Sequence, residues 1–231
     1  MKKVYKVLFI GNSYTFFNNS WDIFKNIAQA EEYDVVVDNV TSGGYTLEKM
    51  NDPSDIYGSM VANKLSNEEY DVVFLQEQSL RPVINEQLFF AGVRSLVEKV
   101  NANGATTILY ETWGRKNGSN DLIKHNLTTK TMTQKLISSY GEIARELGLD
   151  VSHVGTAFFY LSENHPELNL YDEDLSHPSE LGSYVVALTH YATVFKKSPI
   201  GMNYKYFLNN ENSQTIIEEA VYRAVFENSS R

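Results

Sequence analysis

The sequence predicts a doubly wound α/β domain, and three observations support this prediction. Five short apolar runs, rich in β-branched and aromatic residues, have the length and character of strands that are buried on both faces. Longer amphipathic segments separate these runs. The strict alternation of strand and helix is typical of a parallel sheet with right-handed crossover connections. The predicted strands are Val4–Ile10, Val35–Val40, Val72–Leu75, Thr106–Tyr110 and Val151–Val154.

The amphipathic segments predict helices between and after these strands. Asn103-Gly104 and Gly148 provide stop signals for two of them. A long polar segment, Gly114–Asn126, follows the fourth strand, and we interpret it as a rim loop. No internal repeat and no linker rich in Pro, Gly or Ser interrupts the pattern, so residues 1–231 are expected to form a single domain. The predicted helices are Trp21–Ala30, Leu88–Val100, Thr131–Leu147, Ser179–Phe195 and Gln214–Phe226.

Composition excludes several classes of function. The 231 residues carry 20 Lys and Arg against 29 Asp and Glu, a net charge of −9, which argues against nucleic acid or an anionic membrane as the main partner. Cysteine is absent, which removes disulfides, thiol nucleophiles and thiolate zinc sites. No apolar run approaches the roughly 18 residues of a spanning helix. Because Lys6 interrupts the first apolar run, we expect a strand there rather than a signal peptide, and a cytoplasmic protein.

Polar and catalytic-type residues follow the strands. In an open parallel sheet, ligands bind at the carboxyl ends of the strands, so these segments are expected to meet at one edge. They are Gly11–Thr15, Thr41–Thr46, Gln76–Ser79, Glu111–Trp113 and, after the fifth strand, Asp172–Pro178.

Three of these residues could form a nucleophilic site. Ser13 is either the N-cap of a helix or a nucleophile at a strand-to-helix turn. A serine nucleophile needs a base, and Asp174 and His177, three residues apart, could supply the base and its orienting carboxylate. The same pair could instead be surface residues, or could ligate a divalent metal together with Asp172. His153 and His190 lie in a strand and a helix pattern and are expected to be packing residues.

Other residues at this edge could stabilise an oxyanion. Gly43-Gly44 forms either a simple turn or a close backbone approach with an amide aimed at the oxyanion. Gln76 and Gln78 are either ordinary strand-end residues or side-chain amide donors to the same oxyanion. Side chains two apart on a strand point to the same face, so both could face the site.

Four sequence blocks, taken in order, resemble those of the SGNH (GDSL-type) hydrolase superfamily. They are Gly11-Asn12-Ser13, Gly44, an amide residue after the third strand, and Asp174-x-x-His177. The resemblance implies a flavodoxin-like three-layer α/β/α fold with a five-stranded parallel sheet in the order 2-1-3-4-5. It also implies that Ser13 is the nucleophile and an oxyanion donor through its N–H, that Gly44 is a second donor, and that His177 is the base with Asp174 as its partner. No metal or organic cofactor is implied.

The chain departs from the pattern of the superfamily in two places. Asn12 stands where an Asp is usual. Gln76–Ser79 replaces the Gly-x-Asn-Asp block, so that Gln78 aligns with the Asn donor and Gln76 with the Gly. A Leu-Gln-x-x-Ser block and a Thr-Trp pair after the fourth strand look like those of an atypical branch of the superfamily.

These observations predict a serine esterase that forms an acyl-enzyme on Ser13 and acts on a small-molecule or carbohydrate ester with a short acyl group such as acetyl. The residues Tyr14, Tyr45, Trp113 and Arg115 either rim the site and bind substrate, where aromatic rings suit sugar stacking, or cap the core. The alternative function is a non-catalytic flavodoxin-like binding module with a degenerate site, and a metal-dependent phosphoesterase is a more distant one.

Overall fold

The computed structural model describes residues 3–206 and 211–227. In this part of the chain, five parallel strands form one sheet in the order β2-β1-β3-β4-β5, which confirms the predicted fold class and strand order. The strands are β1 (Val4–Gly11), β2 (Asp34–Thr41), β3 (Val72–Leu75), β4 (Thr106–Tyr110) and β5 (Asp150–Ser152).

Both faces of the sheet are buried, which explains why the strands are apolar without alternation. In β1, Val7 and Phe9 point to one face, and Leu8 and Ile10 point to the other. None of the four is more than 1% exposed. A strand with side chains packed on both faces cannot carry the alternating polar residues of a half-exposed strand.

The helices form the two outer layers of the fold. Residues of α2, α9, α10 and α11 pack on the face of Val7 and Phe9, and residues of α3, α4, α6 and α8 pack on the opposite face. Short helices α1, α5 and α7 lie in the segments after β1, β3 and β4. The helices are α1 (Ser13–Phe16), α2 (Ser20–Ala30), α3 (Leu47–Asn51), α4 (Ile56–Asn67), α5 (Arg81–Ile84), α6 (Glu86–Asn103), α7 (Asn120–Lys124), α8 (Thr129–Leu147), α9 (Val154–Asn164), α10 (Glu180–Phe195) and α11 (Glu211–Tyr222), with a 3₁₀ turn at Phe17–Asn19 and a π-helical turn at Arg223–Glu227.

The predicted stop signals are confirmed, because Gly104 and Gly148 end α6 and α8 with φ angles of 85° and 67°, a conformation that glycine adopts without strain. The prediction for β5 was wrong at its end. Val154 begins α9, where the Glu111 carboxylate accepts hydrogen bonds from the backbone N–H and the hydroxyl of Thr156, both at 2.9 Å. Glu111 lies directly after β4, far from α9 in the chain, so the local sequence did not indicate this cap.

The sequence pattern also missed α3 and α4, which follow β2, and α9, which follows β5. It missed α7 as well, which lies inside the polar segment Gly114–Asn126. The helix α4 is recognisable in retrospect by its cap. The Asp55 carboxylate accepts hydrogen bonds from the N–H groups of Tyr57 and Gly58 at 2.8 and 3.3 Å. Among residues 3–206 and 211–227, no helix combines the length and apolarity needed to cross a bilayer.

His190 is buried in the core, as expected of a packing residue. It is 1% exposed, its ring lies 4.5 Å from that of Phe74 and 4.4 Å from that of Tyr110, and its Nδ1 lies 2.7 Å from the hydroxyl of Ser152. Burial lowers the pKa of His190 to about 3, because the charged imidazolium is poorly solvated there.

We expect His190 to make the protein sensitive to acid. Below about pH 6.5 the unfolded chain binds a proton at this residue and the folded protein does not. The free energy of unfolding therefore falls as the pH falls from about 6.5 toward 3, by up to about 1.4 kcal/mol per pH unit. Urea unfolding of wild type and His190→Gln at about pH 7.5 and about pH 5 checks this. The variant should lose less stability between the two pH values, and equal losses would contradict the prediction.

Candidate active site

The three residues predicted to form a nucleophilic site lie together at the carboxyl edge of the sheet. Ser13 begins α1 directly after β1, and Asp174 and His177 lie in the loop before α10. The Ser13 Oγ lies 2.7 Å from His177 Nε2, and His177 Nδ1 is hydrogen-bonded to the Asp174 carboxylate. This serine–imidazole–carboxylate chain is the arrangement that activates a hydroxyl for nucleophilic attack.

The Asp174 carboxylate also organises its own loop. Its Oδ1 accepts hydrogen bonds from the backbone N–H groups of Ser176 and His177 at 2.9 and 2.8 Å. Partial burial alone would raise the pKa of Asp174, but the hydrogen bonds from His177 and Ser176 lower it below its usual range. Leu175, inside this loop, has a φ of 62°, which costs a residue other than glycine of the order of 1–3 kcal/mol. The strained turn brings the two ends of the Asp174–His177 segment together.

The imidazole of His177 is held by aromatic rings as well as by hydrogen bonds. The ring of Phe17 stacks on it at 4.4 Å with an angle of 16° between the planes, and the edge of Tyr14 approaches it at 5.5 Å. Sequence reasoning missed Phe17. Its spacing of four residues from Ser13 could have indicated that the two side chains lie on the same side of the turn.

Gln76 supports the turn after β1 that carries Ser13. Its Oε1 accepts hydrogen bonds from the Asn12 N–H at 2.8 Å and from the Thr15 hydroxyl at 2.9 Å. Gly11 permits this close approach, because a Cβ at this position would lie 2.6 Å from the Gln76 Oε1. Gln76 is 1% exposed and its amide donates to the Glu77 carbonyl. The expectation that Gln76 is an oxyanion donor is therefore corrected: both ends of its side chain are engaged in holding the turn.

Gln78 has a different environment. Its Oε1 accepts from the N–H groups of Leu80 and Arg81, at 2.9 and 3.1 Å, at the start of α5. Its Nε2 donates to none of the described residues, and Gln78 lines the same cavity as Ser13. A primary amide with its oxygen fixed and its nitrogen unpaired is a preorganised donor.

Ser13 and Gly44 also line this cavity, and their backbone N–H groups have no hydrogen-bond partner in the described chain. Gly44 has a φ of 70°. Its loop is tied to the turn after β1, because the Asn12 side-chain amide donates to the Tyr45 carbonyl at 2.9 Å. An aspartate, which is usual at position 12 in the resembling superfamily, could not donate this hydrogen bond.

The cavity has a volume of about 300 Å³. Arg115 forms part of its wall, where its guanidinium donates to the Ser79 hydroxyl at 3.1 Å and pairs with Asp121. Sequence reasoning missed Ser79 and Ser176, which also line it. The lining residues are Asn12, Ser13, Tyr14, Gly44, Gln78, Ser79, Arg115, Asp174, Ser176 and His177.

Two of the predicted substrate-binding aromatic residues do not lie at the cavity. Trp113 is fully buried between the rings of Tyr14, at 4.5 Å, and Phe158, at 4.3 Å. It is a core residue, which corrects the expectation of a rim position. Tyr45 is partly buried against Tyr57 and donates from its hydroxyl to Asp55 at 3.3 Å. Tyr14 lines the cavity but is itself 3% exposed, so an open stacking platform for a sugar is absent from the described lining.

The remaining titratable candidates lie in other surroundings. The backbone N–H of Asp172 donates to the His177 carbonyl at 2.9 Å, and among the described residues no group of three or more acidic and His side chains is arranged to hold a metal ion. His153 follows β5 rather than lying inside it, and its Nδ1 is 2.9 Å from the buried Glu111 carboxylate. His165 pairs with Glu167 at 3.3 Å.

Neither a protein-family model nor a curated protein matches the sequence, but solved structures match the fold closely. A candidate SGNH hydrolase from Slackia heliotrinireducens is 28% identical, with a TM-score of 0.74 over 83% of this chain and 99% of that chain. A DUF4886 family protein from Bacteroides uniformis has a TM-score of 0.83 at 17% identity, over 96% of this chain and 95% of its own. The Axe2 acetyl-xylooligosaccharide esterase from Geobacillus stearothermophilus, as an Arg-to-Ala variant, has a TM-score of 0.61 at 19% identity, over 84% and 96%.

The protein therefore has the three-layer fold of the SGNH hydrolases, and the resemblance drawn from its sequence blocks is confirmed by these structures. The particular replacements in its third block, Gln76–Ser79, remain a predicted atypical feature.

Gln76→Ala is expected to destabilise the protein. The substitution leaves the buried N–H of Asn12 without an acceptor and removes the partner of the Thr15 hydroxyl, and each such loss costs about 1–3 kcal/mol. Urea unfolding at neutral pH measures the change. Gln134→Ala, at an exposed position of α8, is the matched control and should unfold like wild type. A Gln76→Ala protein as stable as this control would show that the turn does not need the side chain.

Proposed function

We propose that the protein is a serine esterase that hydrolyses short-chain acyl esters through an acyl-enzyme on Ser13. The single observation that carries the proposal is the continuous hydrogen-bonded chain from the Ser13 hydroxyl through His177 to Asp174. It lies at a cavity that also presents unpaired N–H donors. A degenerate binding module would have no need of both features together.

The geometry supports a two-step reaction. His177 Nε2 accepts the Ser13 proton as Ser13 Oγ bonds to the ester carbonyl carbon, and the carbonyl oxygen becomes an oxyanion. The tetrahedral intermediate collapses by breaking the bond to the alcohol oxygen, which takes the proton from His177. Water then repeats the sequence on the acyl-enzyme: His177 accepts a water proton, the hydroxide bonds to the carbonyl carbon, and Ser13 Oγ leaves and recovers its proton.

Three donors are available for the oxyanion, the backbone N–H groups of Ser13 and Gly44 and the Nε2 of Gln78. They are fixed before substrate binds, and such preorganised donors stabilise the charge that develops in the transition state without reorganisation. Asp174 holds His177 in the tautomer that accepts from Ser13 and stabilises the imidazolium that forms.

The cavity favours a small acyl group. The cavity has a volume of about 300 Å³ and is lined by hydroxyl, amide and charged side chains. A long alkyl chain buried against these side chains would leave their polar groups without water or a partner. We extend to this chain, as part of the proposal, the acetylated sugar substrate that the name of the Axe2 esterase states. Arg115 and Ser79 are the groups placed to contact the polar part of such an ester.

Ser13→Ala should lower kcat for p-nitrophenyl acetate by about 10⁴- to 10⁶-fold, because the nucleophile is lost, and His177→Ala should match it, because the two residues act as one unit. Steady-state kinetics measure both, and a fluorophosphonate probe with mass spectrometry reports covalent labelling at Ser13 with and without EDTA.

Two control variants accompany this experiment. Ser59→Ala, at an exposed position of α4, and His165→Ala, in the separate pair with Glu167, should keep wild-type activity. Activity that survives in His177→Ala, or that EDTA abolishes, would contradict the proposed mechanism. Faster turnover of the laurate ester than of the acetate would contradict the short-chain substrate.

Gln78 allows the oxyanion donor to be tested separately from its structural hydrogen bonds. Gln78→Glu keeps an oxygen that can accept from Leu80 and Arg81 but replaces the amide donor with a carboxylate oxygen. We expect kcat to fall by about 10²- to 10³-fold with little change in KM, since the donor acts on the transition state. Unchanged kcat in both Gln78→Glu and Gln78→Ala would show that the two backbone amides suffice.

A further inference from the structure

A buried acidic residue, Glu77, lies behind the proposed oxyanion donors and takes no part in the reaction described above. Its side chain is 0% exposed. Its Oε1 accepts from the Gln78 N–H at 2.6 Å, and both of its oxygens lie 3.3 Å from the Leu47 N–H. Leu47 is in the segment after β2 and Gln78 is in the segment after β3, so one carboxylate joins the two segments that carry the proposed donors.

Keeping a carboxylate in this position costs free energy. Burial raises the pKa of Glu77 to about 7, against the opposing effect of the Gln78 N–H, the Arg81 charge and the Leu47 N–H. An apolar residue of the same size would avoid that desolvation. It could not, however, accept hydrogen bonds from two different loops. The carboxylate is therefore best explained by the two N–H groups that it holds.

Packing does not hold the loop at Gly43 and Gly44 themselves, although Leu47, three residues further on, is fully buried. A Cβ built at Gly43 or at Gly44 would meet no atom within 4 Å, so this part of the loop faces open space. Hydrogen bonds attach the loop before and after Gly44. Before it, the Ser42 N–H donates to the Gly11 carbonyl at 3.3 Å; after it, the Tyr45 carbonyl accepts from Asn12 at 2.9 Å and the Leu47 N–H donates to Glu77. Removing one attachment would let the Gly44 N–H move relative to Ser13.

We propose that Glu77 is a positioning residue, whose carboxylate fixes the Gly44 loop and Gln78 relative to each other and so sets the geometry of the oxyanion donors. The inference rests on the proposed esterase function. It assigns a purpose to the middle residue of Gln76-Glu77-Gln78: Gln76 holds the nucleophile turn, Glu77 holds the donor loop, and Gln78 supplies a donor. Donors displaced by about an ångström lose much of their effect on the transition state while leaving substrate binding nearly intact.

Three substitutions at Glu77 test the proposal in the full-length protein with p-nitrophenyl acetate. Glu77→Leu removes both hydrogen bonds, and Glu77→Asp keeps the charge on an arm too short to reach both loops. We expect each to lower kcat by about 10- to 100-fold with KM within about twofold of wild type. Glu77→Gln keeps an amide oxygen that can accept from both N–H groups, and it should recover most of the wild-type kcat.

Matched controls separate positioning from general damage. Glu48→Gln removes a nearby exposed carboxylate that pairs with Arg81 at 2.9 Å and should leave kcat unchanged. Urea unfolding shows which variants are folded, and Glu77→Asp and Glu77→Gln keep the test decisive where Glu77→Leu does not fold. If the wild type is active and folded Glu77→Asp has an unchanged kcat, or if only its KM rises, this inference is wrong and the esterase proposal stands. Wild type that neither turns over ester nor labels at Ser13 overturns both.

Discussion

The candidate site depends on a buried hydrogen-bond acceptor, the side-chain oxygen of Gln76. This oxygen accepts hydrogen bonds from the Asn12 N–H and the Thr15 hydroxyl. The two residues flank Ser13 at the turn that follows β1. The acceptor reaches the backbone because Gly11 has no side chain in the way. A polar group buried against a backbone turn is costly to leave unpaired, so these hydrogen bonds stabilise the turn that carries Ser13.

The same principle extends to the neighbouring loops. Polar side chains from the turn after β1 and from the end of β3 reach across the sheet edge to hold backbone groups of the loop after β2, through Asn12 to Tyr45 and through Glu77 to Leu47. Loops at the edge of a sheet have less apolar surface to bury than the strands, so hydrogen bonds help to decide where their N–H groups point. In the reaction that we propose, N–H donors held in this way before substrate binds need no reorganisation.

Aromatic packing plays a different part in the site. Trp113 does not line the cavity. Its ring stacks on that of Tyr14, and the Tyr14 ring in turn contacts the imidazole of His177. Phe17 covers the face of the same imidazole. The aromatic residues near the site therefore link the imidazole to the hydrophobic core, and polar side chains make up most of the cavity lining.

The pattern of residues by itself predicted the parallel sheet and the segments that meet at its carboxyl edge, and the strand order came from the resemblance to the SGNH hydrolases. Continuous apolar strands must be buried on both faces, and parallel strands deliver their ends to one side. It also indicated Ser13, Asp174 and His177 through their spacing. Only the tertiary structure decided that Gln76 and Gln78 have different surroundings, that Trp113 is buried and that Glu77 spans two loops. Those outcomes depend on which distant groups lie within hydrogen-bonding or van der Waals distance, and no local pattern of residues encodes that.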